Sequence, residues 1–273
     1  MRGSQVRLPG LDGRCSMIGG NGRFNQPRDL HFLTELATLR ITDREQAMAI
    51  GPFGSVTRAN ARLLRYVRAG LVHRAFMATE NGGKKALYFL SKKGAMAAGI
   101  PYKPIKRSRD EMLVGDLFVE HRLAINSIYI TVAYKPIPCA ETKFNRWIPT
   151  EEPISPAHPI IPDAYFEIAY GNAIEPMFLE VDLGTEVLKT WKKKTEAYLR
   201  LALSGEFASR VGHPRFRVLV ITRSQRRLDS IRLTVADITT KIFYFTTFES
   251  IKRDGFWSPI WTRPQGSESQ SLL

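Results

Sequence analysis

From Asp29 onward apolar residues recur at a spacing of three: Leu30, Leu33, Leu36 and Leu39. That period predicts a helix. Thr42 and Asp43 are both good N-caps for a short second helix carrying Ala47, Met48 and Ile50. Gly51-Pro52 and Gly54 signal a turn, and Ser55 is a cap for a third helix. In that helix Val56, Ala59, Leu63 and Val67 share one face, and Arg58, Arg62 and Arg65 share the neighbouring one. Gly70 stands where a helix end favours a left-handed residue. Two apolar stretches, "LVHRAFMA" and "KALYFL", then flank Glu80-Asn81-Gly82-Gly83, which predicts a β-hairpin. A short helix over 91–98 closes the unit.

Beyond it the pattern changes. "PYKPIKRSRD", residues 101–110, reads as a basic linker, and a long helix is expected over 111–133 with Glu120 and His121 in its middle. "TKFNRWI", "DAYFEIAY", "IEPMFLEVD", "FRVLVIT" and "KIFYFTT" read as strands, with helices after the third and fourth. "FRVLVIT" is apolar on both faces, as a central strand should be. The chain is therefore expected to be α+β, its second part an α/β layer domain with a mixed central sheet. The divisions read as an irregular segment 1–28, a domain 29–100, the linker 101–110, a domain 111–262 and a flexible tail 263–273.

Charge sharpens the first half. The net charge is +14, yet residues 1–110 hold 20 Lys and Arg against 7 Asp and Glu. Residues 111–273 are nearly balanced, with 20 against 19. A basic module beside a neutral one points to a polyanion partner. Three helices followed by a hairpin is the order of a winged helix-turn-helix, whose third helix reads the major groove. That reading nominates Thr57, Arg58, Asn60, Arg62 and Arg65 on the third helix, with Arg74, Lys84 and Lys85 on the hairpin, for contact with double-stranded DNA.

The second half carries candidate chemistry. Pro162-Asp163 is followed by Glu180-Val181-Asp182 at the end of an apolar run. Many metal-dependent nucleases present P-D, a gap, then an acid, any residue and Lys; here Asp182 holds the lysine's place. A turn at Gly171-Asn172 lets the two strands form a hairpin and bring Asp163 and Glu180 together. Two carboxylates with the Val181 carbonyl suit Mg2+ or Mn2+. Such an ion polarises a phosphate and activates a water. The following helix offers Lys189, Lys192, Lys193 and Lys194 as candidate amines, of which Lys194, four residues before Tyr198, shares that tyrosine's face, and Glu120 lies on the preceding helix. Asp182 is a third acid or a helix cap. There is no P-loop, no Gly-x-Ser-x-Gly and no Cys-x-x-Cys, and the two cysteines form no framework. No apolar segment is long enough to span a bilayer, and a cytoplasmic location is expected.

These stretches carry a resemblance. "RANARLLRYVRAGLVHR", "ALYFLSKKGAMAAGI", the helix with His121, "IPDAYFEI", "MFLEVDLGTE" and the Lys194–Tyr198 pair together resemble the replication-relaxation proteins of plasmids and other mobile elements, over roughly residues 30–250. The resemblance implies a fold similar to the PD-(D/E)xK nucleases. In it Asp163, Glu180 and Asp182 are the acidic cluster and Lys194 is the basic residue. It implies an endonuclease or nickase in plasmid replication, mobilisation or transposition. It also leaves open a non-catalytic DNA-binding regulator with a degenerate nuclease fold, or an accessory subunit active only in a larger nucleoprotein complex. Expected partners are duplex DNA and other replication, mobilisation or transposition proteins, with room for a homodimer.

Overall fold

The computed structural model describes residue 24 and residues 26–51, 53–79, 82–105 and 116–273. Most of the irregular N-terminal segment, Pro52, Glu80-Asn81 of the hairpin turn, residues 106–110 of the linker and 111–115 of the long helix lie outside them. The described chain is a mixed α+β structure with one small and one large sheet.

The first module runs α1 (Pro27–Leu39), β1 (Thr42–Asp43), α2 (Arg44–Ile50), α3 (Val56–Arg68), β2 (Val72–Ala78), β3 (Lys84–Leu90) and α4 (Lys92–Ala98). The strands pair antiparallel in the order β1-β3-β2. Side-chain caps fix three helix starts: the backbone N–H groups of Gln46, Arg58 and Gly94 donate to Asp43, Ser55 and Ser91 respectively. Gly94 is there for close approach. A Cβ on it would lie 2.1 Å from the Leu71 carbonyl oxygen, so only glycine lets α4 pack onto the start of the hairpin.

The inner face of α3 differs from the expected one. Ala59, Leu63 and Tyr66 are buried, whereas Val56 is 47% exposed. The Tyr66 ring stacks on Phe32 at 5.3 Å between centroids and rotates the buried stripe towards the helix C-terminus.

A single helix, α5 (Asp116–Tyr134), joins the module to the rest. From Leu123 onward it is apolar on most sides, as a helix buried on several sides must be. Ile125, Ile128 and Val132 pack on the large sheet. Tyr129 and Ile130 pack with Phe32, Leu36 and Ile50 of the first module, and Val119 and Leu123 pack with Ile41, Met77 and Leu87. Polar ties add register. Asn126 Nδ2 donates to the Ile41 carbonyl at 2.6 Å, Gln46 Nε2 to the Leu123 carbonyl at 2.7 Å, and the Tyr129 hydroxyl to Glu35 at 2.6 Å. The helix expected to open a second domain is therefore core to both parts.

The large sheet is built from β4 (Thr142–Pro149), β5 (Ala164–Tyr170), β6 (Ala173–Asp182), β7 (Arg217–Thr222), β8 (Phe243–Thr247), β9 (Trp261–Thr262) and β10 (Ser269–Gln270), in the order β10-β9-β8-β7-β6-β5-β4. The centre, β6-β7-β8, is parallel, and the flanks are antiparallel. Helices α6 (Leu188–Leu203), α7 (Glu206–Val211) and α8 (Gln225–Ala236) cover one face. The other face is covered by α5, with Phe248 and Ile251 of α9 (Phe248–Asp254) packed against the same core. Strand alternation sets the sides of β6: Phe178, Glu180 and Asp182 face α6 and α8, whereas Met177, Leu179 and Val181 face α5. Among the described residues no helix is long and apolar enough to cross a membrane.

The C-terminal segment corrects an expectation. Residues 263–273 were expected to fray, but β10 pairs with β9, Leu272 is buried beside Trp261, and the Arg217 guanidinium donates to the Leu272 carbonyl. A buried apolar anchor four residues past a hairpin turn outweighs the polar composition of "GSESQSLL". Leu272→Ala should cost about 2 kcal/mol in urea unfolding, the low end for a buried leucine. A frayed tail would show no change.

Candidate functional site

The β5–β6 hairpin pairs Ala164 with Leu179, so Asp163 and Glu180 are the next residues across the ladder. The Asp163 N–H donates to the Leu179 carbonyl at 3.0 Å. Its carboxylate turns across and accepts the Val181 N–H at 2.7 Å. From α5, His121 Nε2 lies 3.3 Å from Asp163 Oδ2 and 2.9 Å from the Val181 carbonyl. Burial works against an imidazolium here, but the Asp163 carboxylate and the Val181 carbonyl outweigh it, so the His121 pKa is raised.

Glu180 is 1% exposed. Its two oxygens accept from Lys194 Nζ at 2.8 Å and from the Tyr198 hydroxyl at 2.6 Å. The i, i+4 spacing on α6 is what lets both reach one carboxylate. Burial pushes the Glu180 carboxyl up to about 7 and Asp163 adds to the effect, while Lys194 and Tyr198 hold it back. Lys194 also pairs with Glu186 at 2.8 Å and lies over the Trp191 ring. Burial opposes the ammonium, but the two carboxylates around it raise its pKa well above the ordinary lysine value.

Asp182 is separate from this pair. Arg227 Nε and Nη2 both donate to it at 2.8 Å, Trp191 Nε1 at 2.9 Å and the Gly184 N–H at 2.7 Å. Burial alone would raise its pKa, but these donors lower it. It neither joins the acidic pair nor caps α6, which starts at Leu188 with no side-chain cap. The acid that shares Lys194 is Glu186, and its Oε2 is buried with no hydrogen-bond partner. Glu120 pairs with Arg223 at 2.8 Å near the C-terminal end of β7.

The site thus gathers Asp163, Glu180 and Lys194 from the expected residues and adds His121 and Glu186. Among the described residues no group of three His, Cys, Asp or Glu is arranged to hold a metal ion. Two carboxylates and the Val181 carbonyl are what the chain offers. Mg2+ is commonly held by one or two carboxylates with the remaining positions filled by water and phosphate, so the donor types match such an ion, while both Glu180 oxygens and the Val181 carbonyl are engaged by Lys194, Tyr198 and His121.

On the first module Thr57, Arg58, Asn60 and Arg65 are exposed, as is Arg68, which sequence reading passed over. Arg62 is not in that row. Its guanidinium is drawn onto the buried Asp29 carboxylate, which also accepts from the Tyr66 hydroxyl at 2.6 Å. On the hairpin Arg74 and Lys84 are exposed, Arg74 over the half-exposed Phe76 ring, and Lys85 pairs with Asp43 at 3.3 Å.

A family model described as replication-relaxation matches residues 33–214, about two thirds of the chain. The chain belongs to the replication-relaxation family. Membership associates it with the replication of plasmids and other mobile elements. The matched span contains Asp163, Glu180, Glu186 and Lys194, as well as α5, and stops before Arg223 and Arg227. No curated protein and no solved structure matches the chain.

The Asp163–His121 contact generates a titration test. By NMR the His121 ring should titrate above the usual histidine value of about 6.5, and Asp163→Asn should bring it down. A folded pKa raised above the unfolded one adds stability below the unfolded value. That stability fades as pH rises through the folded value. Wild type should therefore lose a small increment of stability as pH rises from the unfolded value through the raised folded value, and Asp163→Asn should lose less. An unshifted His121 would mean the contact is not made in solution.

Proposed function

We propose that this protein binds double-stranded DNA through its first module and cuts or nicks it at the Asp163–Glu180–Lys194 site with Mg2+ or Mn2+. The observation that carries the reading is the 2.8 Å pair between Lys194 Nζ and Glu180 Oε2. The amine absent from position 182 returns from α6 and meets the strand-end acid. The two acids at adjacent hairpin positions, followed by a helix bearing the lysine, support a PD-(D/E)xK-like core. Three helices followed by a hairpin, with exposed Arg58 and Arg65 on the third helix, support a winged helix.

Asp163, Glu180 and the Val181 carbonyl would hold the ion. When bound it supplies Lewis acidity and a water of lowered pKa. Lys194 sets a fixed positive charge beside the phosphate, where charge grows in the transition state. Tyr198 orients Glu180 through its hydroxyl. His121 holds a proton at Nε2 between Asp163 and the Val181 carbonyl.

One observation favours a second reading. Both Glu180 oxygens are already engaged, and Lys194 is shared with Glu186. This suits a non-catalytic DNA-binding regulator, or an accessory subunit whose site opens only in a nucleoprotein complex.

Supercoiled plasmid incubated with the protein and Mg2+ or Mn2+ should convert to open-circle or linear form. Asp163→Ala and Lys194→Ala should each slow conversion by at least about a hundredfold while salt-dependent duplex binding persists. Binding without conversion in either metal would defeat the catalytic reading for the isolated chain. Rescue of conversion by partner proteins would identify the accessory subunit.

A further inference from the structure

Arg122 follows His121 on α5 and is the arginine the fold leaves unanswered. Among the described residues it makes no ion pair and no hydrogen bond, and its Nε is buried without an acceptor. Its described companion is the Phe118 ring, 5.9 Å from the guanidinium carbon. Burial acts first on this group and lowers its pKa; the Asp163 and Glu151 carboxylates pull the other way, and Arg40 adds to the lowering. The guanidinium remains charged, since arginine does not deprotonate in proteins.

The surroundings do not supply the missing partner. Arg40 donates to the Lys103 carbonyl at 2.9 Å and the Pro104 carbonyl at 3.1 Å. Glu151 is taken by Lys103 at 3.2 Å and Arg40 at 3.6 Å. Asp163 Oδ2 is taken by His121 and the Val181 N–H, and neither Asp163 oxygen bonds Arg122. Arg40 and Lys103 thus meet Glu151 at the seam between the first module and the large sheet, and the Glu151 carboxylate acts on Arg122 through its charge. Arg40, Lys103 and Glu151 line a cleft there of about 270 Å3. An unanswered buried donor destabilises a fold, so its presence at a seam, one residue from a side chain touching the acidic pair, calls for a ligand with acceptor oxygens. Arg is suited to a phosphate because its fork of N–H groups matches two oxygens.

We propose that Arg122 binds a backbone phosphate of a DNA strand running along the seam from the first module to the Asp163–Glu180 site. This rests on the DNA-binding reading above. His121, next to Arg122 on α5, touches Asp163, and the Asp163 carboxylate is among the charges that act on the Arg122 guanidinium, so a strand held at Arg122 passes near the acidic pair.

The test compares wild type, Arg122→Gln, Arg122→Lys and the double variant Arg58→Gln/Arg65→Gln, by fluorescence anisotropy on one duplex across a salt series. Removing one phosphate contact should make the slope of log K against log salt shallower by about one and weaken binding on all sequences alike. Arg122→Lys should recover the slope but only part of the affinity. Arg122→Gln should melt at the same temperature as wild type or higher, because it removes a half-buried side chain whose Nε has no acceptor. A lower melting temperature with unchanged slope and affinity would make Arg122 structural and overturn the proposal. Loss of binding in Arg58→Gln/Arg65→Gln but not in Arg122→Gln would remove this proposal alone. A wild type with no salt-dependent duplex binding would remove the DNA reading and this site with it. In wild type labelled with 15N, the Arg122 Nε–H signal, assigned by its loss in Arg122→Gln, should shift on adding duplex. An unmoved signal at saturating duplex would also overturn the proposal.

Discussion

A carboxylate buried at the end of a central strand has to be answered, and β6 presents two of them on one face. Glu180 and Asp182 are each almost fully buried. Each draws its counter-charge from a different helix: Lys194 on α6 for Glu180, Arg227 on α8 for Asp182. The positions of both helices over the sheet are therefore tied to two acids two residues apart. Buried pairs of this kind add little net stability against apolar replacements, but leaving one partner alone is costly. Their effect is to fix which side chains sit at the strand end. That is why the same pairings that hold α6 and α8 in place also define the chemistry available there.

The other organising element is α5. A helix apolar on most sides from Leu123 onward must be buried on several sides, and here two cores share it. Asn126 and Gln46 bind backbone carbonyls across the junction, so the helix is held in register as well as in contact. His121, which touches Asp163, and Tyr129, which binds Glu35 of α1, lie two turns apart on it. A displacement of the first module is transmitted to the acidic pair through one rigid rod. Short linkers tolerate hinge motion; a shared core helix resists it.

Much of this architecture is legible in the residues alone. The first three helices and the hairpin follow from spacing, caps and turn residues, because these are local signals. The Asp163–Glu180 juxtaposition follows from a turn at Gly171-Asn172, since a short hairpin fixes its own register. What escapes the sequence is non-local or too short to show a period. The two-residue strands β9 and β10 carry no alternation, and α7 and α9 span only about two turns each. Asp29 lies 33 residues from Arg62, yet it removes that arginine from an exposed row whose spacing implied three equivalent members. Arg227 lies 45 residues from Asp182 and decides what that acid does. The roles of His121 and Glu186 likewise arise only when α5 and the loop after β6 close on the sheet.

The replacement of a strand lysine by Asp182 has a physical consequence of its own. A lysine at position 182 would lie on the same face as Glu180 and compete with Trp191 and Arg227 for the space under α6 and α8. With aspartate there, α8 is locked by Arg227, and the positive charge needed by Glu180 comes from nearly two turns into α6. Lys194 then stands between two carboxylates rather than one, because Glu186 on the connecting loop also reaches it. An amine shared in this way is less available to a third anion than one paired once. The loop of residues 183–187 is largely solvent-facing, with Gly184 at φ +94°, a backbone conformation glycine adopts without strain. The loop is itself tied to the Asp182–Arg227 pair, since the Gly184 N–H donates to Asp182 and the Arg227 guanidinium to the Glu186 carbonyl, so the acid two residues from Glu180 also sets where Glu186 stands.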